Sequence, residues 1–158
     1  MTEPLATTTV RGAGAEDVEA VATAVESLLL ELGGRRPERP ELEAEIRAEL
    51  ADPDGSSVLV AEADGEIVGV LTASWQRATH VPGVYATIQD LWVDGAWRSR
   101  GVGAELVEAI ASQARARGVS RLEVGLPRET FAAIASTESF YERNGFEHLG
   151  PRMRRLLE

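Results

Sequence analysis

Residues 98–103 read Arg-Ser-Arg-Gly-Val-Gly, directly after the run Ile88-Gln-Asp-Leu-Trp-Val and an Asp-Gly-Ala-Trp connector. A strand that ends, a short loop with two arginines, and two glycines opening a helix make an arrangement suited to anions. Glycine lets the backbone approach a phosphate closely, and the first helical N–H groups lack internal partners. The helix dipole adds partial positive charge at the same point. The dinucleotide fingerprint is excluded because its third glycine is replaced by Leu106, and no GK[ST] of a Walker motif occurs. The plainer reading of the same residues is a left-handed turn between strand and helix.

The elements around this turn follow from hydrophobic period. Residues 7–11 read as a first strand, and 15–32 as a helix with Val18, Val21, Ala22, Val25, Leu28, Leu29 and Leu32 at helical spacing, stopped by Gly33-Gly34. A second short helix is predicted over 41–50, and a hairpin over 57–63 and 66–75 around Asp64-Gly65. Val81-Pro-Gly is expected as a loop, 87–93 as a strand, 103–117 as a helix stopped by Gly118, and 121–125 as a strand. After a loop over 126–136, a short helix is expected over 137–144, with Ser136 and Thr137 as N-cap residues. Phe146 and residues 153–157 are expected to complete the sheet. The central hairpin argues for a mixed α/β arrangement, one domain over residues 1–158 with helices on both faces of the sheet.

Composition narrows the chemistry. The 158 residues contain no cysteine, which removes thiolate nucleophiles, disulfides and Cys-based zinc sites, and two histidines do not build a His-rich metal centre; no metal is expected. The formal net charge is −10, and all 16 cations are arginine. Such a field disfavours nucleic acid and attracts a cationic amine, although charge of this kind also simply keeps a protein in solution. The first ten residues lack the charged and apolar regions of a signal peptide, and no apolar run spans a membrane. A cytoplasmic location is the expectation.

Arg98 to Gly103 resembles the Q/R-x-x-G-x-G/A signature of the GNAT acetyltransferases, and the preceding Leu-Trp-Val strand, the later Phe140-Tyr-Glu-Arg-Asn-Gly-Phe146 and the order of elements extend the likeness over nearly the whole chain. The resemblance implies a mixed, mostly antiparallel sheet whose central strands splay apart. It implies acetyl-CoA as co-substrate, bound by Leu91, Trp92, Val93, Arg98, Ser99, Arg100, Gly101, Val102, Gly103, Ala104, Thr137 and Phe140. It further implies an N-acyltransferase that moves the acetyl group to a primary amine of a small molecule or peptide. One departure is Ile134, where many members carry an asparagine that helps hold the CoA arm.

By the same resemblance, Tyr141 donates a proton to the departing thiolate; its alternative is packing beside Phe140. A thiol of pKa ~8.5 leaves without strong acid help. Members that acetylate polyamines carry acids at the positions of Gln89 and Asp90; glutamine accepts no proton, so Asp90 is the candidate base, or else a buried aspartate that braces a loop. His80 is a base, an acceptor contact or a solvated loop residue, and His148 is read as structural. A backbone N–H near Val93 would suit the oxyanion. Trp75, His80, Tyr85 and residues 35–39 are implied to line the acceptor site, with Glu26 and Glu31 either reading a cationic acceptor or facing solvent. A CoA-binding sensor or interaction module without efficient catalysis is the alternative function. A small phosphate-binding domain is the reading without the resemblance, and homodimerisation stays open.

Overall fold

The computed structural model describes residues 7–128 and 130–157. Of these, the residues up to Val124 form one compact unit and those from Gly125 onward a second. In the first unit, β1 (Thr9–Gly12) leads through a single 3-10 turn into α1 (Val18–Leu32) and α2 (Arg39–Ala51). Strands β2 (Ser56–Ala63), β3 (Glu66–Ala78) and β4 (Val81–Val93) follow, then α3 (Val102–Ala116) and β5 (Leu122–Val124). The sheet order is β1-β2-β3-β4-β5, antiparallel throughout except for the parallel β4–β5 pair.

Alternation along the strands assigns the two faces. Val58, Val60 and Val70 turn to one side and pack with Val18, Val21, Ala22 and Val25 of α1 and Ile46 of α2. The other side receives α3, whose Val102, Leu106, Val107, Ile110 and Ala114 recur at helical spacing and are buried. Leu71, Leu106 and Ile110 are fully covered, each contributing on the order of 1.5–3 kcal/mol. The closest approach of helix to sheet is at Gly69, where a Cβ would stand 2.9 Å from Val102 Cγ1 and 3.0 Å from Leu106 Cδ1. Only a glycine lets the first turn of α3 sit this low on β3.

Charged side chains fix the start of α1. Arg11 reaches Asp17 through two N–H groups at 2.7 and 3.0 Å and Glu62 of β2 at 2.9 Å, while the Gly14 amide also donates to Asp17. The Arg11 guanidinium holds the Asp17 carboxyl below the ordinary carboxylate range, against the burial that pushes it up. Arg39 likewise ties α2 to α1, donating to Glu26, Glu43, Thr23 and the Glu19 carbonyl.

The second unit contains α4 (Ile134–Arg143), closed at Gly145, where the Phe146 amide returns to the Tyr141 carbonyl. Phe140 and Phe146 each meet the Tyr141 ring edge-on, with centroids 5.1 and 5.3 Å away.

Three expectations are corrected. Val81-Pro-Gly is not a loop: β4 begins at Val81, which pairs with Ala78. Ser136 and Thr137 do not cap α4, because the helix starts at Ile134 and both hydroxyls donate back to the Ala133 carbonyl. No strand forms between Phe146 and Leu157 among the described residues. Pro151 offers no N–H to a ladder, Gly150 sits at φ +135°, and Leu149, Met153, Leu156 and Leu157 remain exposed. An extended run that buries no apolar side chain has nothing to offset the entropy of ordering it. No helix among the described residues is long and apolar enough to cross a membrane.

Candidate active site

The site is organised by an irregularity in β4. Ile88 pairs with Ala73 and Asp90 with Thr72, so Gln89 is an extra residue in the ladder. Such a bulge shifts the alternation by one and redirects the side chains beyond it. Ile88 therefore shares a face with Ala73, whereas Asp90 and Trp92 share the opposite face with Thr72 and Val70, and Trp92 packs against the α1–α2 core.

The same point is where β4 loses its other neighbour. Pairing with β5 covers Ala86, Thr87 and Ile88 only, and β5 ends at Val124. From Asp90 to Val93, β4 is paired on its β3 side alone within this unit, which is the expected splay of the central strands. Trp92 faces Val70 as a hydrogen-bonded pair, so the main-chain groups on the free edge are those of Leu91 and Val93, with the Val93 carbonyl already accepting from Arg98.

That edge runs into the glycine turn. Asp94 caps a 3-10 turn over Gly95–Trp97 by accepting from the Ala96 amide at 2.9 Å. Ser99 and Gly101 then both take left-handed backbone, at φ +62° and +85°, and α3 starts at Val102. The first helical bond in the turn is the Glu105 amide to the Gly101 carbonyl, leaving the N–H groups of Val102, Gly103 and Ala104 without helical acceptors. Val102 itself is buried over Gly69, whereas Ser99, Arg100 and Gly101 are exposed. The Arg100 guanidinium lies 5.2 Å from the Trp97 ring centroid. Arg98 turns to the protein, donating to the Val93 carbonyl at 3.2 Å and pairing with Glu31 of α1. It braces the turn from the side.

Asp90 is the acid that the bulge brings to the α1–α2 face, and the Thr72 hydroxyl donates to it at 2.5 Å. Burial raises its carboxyl above the ordinary range, and the Thr72 bond opposes part of that rise. Sequence reasoning missed the second acid there. Burial pushes Glu49 of α2 up to about 7, helped by the charges of Asp90 and Glu45. The i to i+4 spacing from Glu45 to Glu49 on a helix was visible; its apposition to β4 was not.

Other expected residues are dispersed. His80 is exposed at the β3–β4 tip, and ten residues of strand separate it from Asp90, roughly 30 Å at 3.3 Å per residue. Trp75 donates to Ser57 and Tyr85 pairs with Gln76, both toward that far end. Glu26 and Glu31 are engaged by Arg39 and Arg98 in ion pairs, which fits the solvent-facing one of their two readings. In the second unit, Tyr141 is buried, and burial pushes its hydroxyl up to about 12. Phe140 is partly buried beside it, and the Thr137 hydroxyl is taken by Ala133. His148 is exposed, its Nε2 3.8 Å from Glu142.

Comparisons with known proteins agree with this layout. Residues 22–146 match the model of the acetyltransferase (GNAT) family. The chain is 30% identical over 135 residues to a protein named IAA acetyltransferase from Azospirillum brasilense, covering 84% of each. A possible acetyltransferase from Clostridium difficile 630 superposes with a TM-score of 0.79 at 18% identity, over 96% of this chain and 97% of that one. A predicted acetyltransferase from Clostridium acetobutylicum, solved with acetyl-CoA, gives 0.75 at 14% identity, over 95% and 96% of the two chains. The glycine turn, the splayed sheet and a family match over most of the sequence agree that this chain is an acetyltransferase of the GNAT family.

Proposed function

We propose that the protein transfers the acetyl group of acetyl-CoA to a primary amine of a small molecule or peptide. The observation that carries this reading is the continuity of the free β4 edge, Asp90 to Val93, with the unbonded N–H groups of Val102, Gly103 and Ala104. An extended amide-containing arm suits the former and a pyrophosphate the latter. The family match runs across both compact units and supports reading them as one acetyltransferase domain.

Each residue then has a task. Leu91 and Val93 bond the pantetheine amides through their main chain, and a backbone N–H near Val93 stabilises the charge that builds on the acetyl oxygen. Gly101 and Gly103 keep side chains away from the phosphates, and exposed Arg100 adds charge. Asp90 takes the proton of the attacking amine, directly or through water, with Glu49 as the second acid on the same face. Tyr141 is protonated at neutral pH, which suits a donor to the leaving thiolate and excludes it as base. The acidic net charge of −10 supports a cationic acceptor. The test is a thiol-release assay with acetyl-CoA over a panel of primary amines, carboxylic acids and alcohols, with acetyl-CoA binding measured in parallel. Turnover with amines alone supports the reading; binding with turnover on another class would replace the acceptor and keep the donor.

A further inference from the structure

At the end of the sheet away from the glycine turn, the β3–β4 stem and the α3–β5 connection wall a cavity of about 620 Å³. Its separation from the turn is set by α3, whose 15 residues span roughly 22 Å at 1.5 Å per residue. Trp75, Arg77, Val84, Arg117 and Arg121 line it, with Asp54 as the one lining carboxylate. A chain with 26 acids and 16 arginines thus places three arginines in the lining of one concavity.

The arrangement is braced. The Arg117 guanidinium lies 3.9 Å from the Trp75 ring centroid and donates to the Pro53 carbonyl at 2.9 Å. Trp75 is held in turn by its indole N–H to Ser57, whose hydroxyl donates to Gln113 of α3 at 2.9 Å. Arg121 is paired with Glu123 at 3.1 Å, while Arg77 forms no ion pair among the described residues. Stacking fixes a guanidinium before any ligand arrives, which lowers the entropy cost of a hydrogen bond to an oxyanion. Like charges held at one cavity repel, and an anion relieves that repulsion. The volume is that of ordinary small-molecule sites.

We propose that this cavity binds a small organic anion carrying phosphate or carboxylate groups, at a site separate from the glycine turn. The occupant bridges the β3–β4 stem to the α3–β5 connection and so stabilises the fold.

Calorimetry and thermal melts with inorganic phosphate, glucose 6-phosphate and citrate test this and separate the two anion chemistries. Saturable binding of a probe is expected, with a raised melting temperature. Arg77→Ala and Arg121→Ala should each weaken it roughly tenfold, with partial recovery in Arg77→Lys, and Arg100→Ala should leave it unchanged. Circular dichroism of each variant confirms that it is folded. Three results overturn the proposal: no saturable binding of any probe, binding indifferent to Arg77 and Arg121, or binding lost in Arg100→Ala, which would assign the anion to the glycine turn.

Discussion

The Thr72 hydroxyl reaches the Asp90 carboxylate at 2.5 Å because Gln89 is an extra residue in the β3–β4 ladder just before Asp90. Without that bulge, the alternation of β4 would send Asp90 to the α3 face. Thr72→Val keeps the shape and removes the donor. The bond lowers the Asp90 pKa, so its loss should raise that pKa and move the acidic limb of kcat/KM to higher pH. A stability loss of about 1–2 kcal/mol is expected beside it. A pH–rate profile and a urea titration measure both effects; an unmoved limb would separate Asp90 from catalysis.

Asp90 and Glu49 make distinguishable contributions. If Asp90 is the base, Asp90→Asn abolishes the acidic limb and leaves the chain folded. Glu49 is raised from 4.5 to about 7 on folding, so the folded state binds its proton more tightly. Its contribution to stability is therefore fullest below about pH 4.5 and is lost as pH rises through about 7. Glu49→Gln should flatten stability across that window, and Asp90→Asn should narrow it by removing the neighbouring charge. Melts from pH 4 to 8 would show either change.

Tyr141→Phe leaves the edge-on contacts with Phe140 and Phe146 in place while removing the proton. Turnover should fall roughly ten- to a thousand-fold with acetyl-CoA affinity nearly unchanged. Full turnover in the phenylalanine variant would make Tyr141 a packing residue.

Gly69 offers a test of how the turn is positioned. Gly69→Ala forces a methyl against Val102 and Leu106 at 2.9 and 3.0 Å. A cost of about 1–3 kcal/mol is expected. Because Gly69 also pairs with Val93, acetyl-CoA affinity should fall with it. Calorimetry on the folded variant reads the second effect, and unchanged affinity would mean that the α3 start tolerates displacement.

Sequence period sufficed where an element has its own amphipathic signal: α1, α3 and the β2–β3 hairpin lie within a few residues of their expected bounds. The glycine turn was legible because left-handed Gly101 and the helix start are local properties. The Gln89 bulge was not, since nothing in Ile88-Gln-Asp-Leu distinguishes a regular strand from a bulged one. Glu49 escaped notice for a related reason: its apposition to Asp90 depends on how α2 crosses the sheet. The run after Phe146 failed in the other direction, its apolar residues suggesting strands that Gly150 and Pro151 interrupt.

The turn at Arg98 to Ala104 is assigned to hold acetyl-CoA through its backbone, and every catalytic role proposed above depends on that placement. Gly103→Val measures it most directly, because Gly101 at φ +85° would also be strained by any side chain. Calorimetry with acetyl-CoA should show saturable binding to the native chain and a loss of roughly tenfold or more in the folded valine variant, as the side chain blocks close approach to the N–H groups. Unchanged affinity in a folded Gly103→Val protein would contradict the assignment of the turn and the acetyl-transfer chemistry built on it.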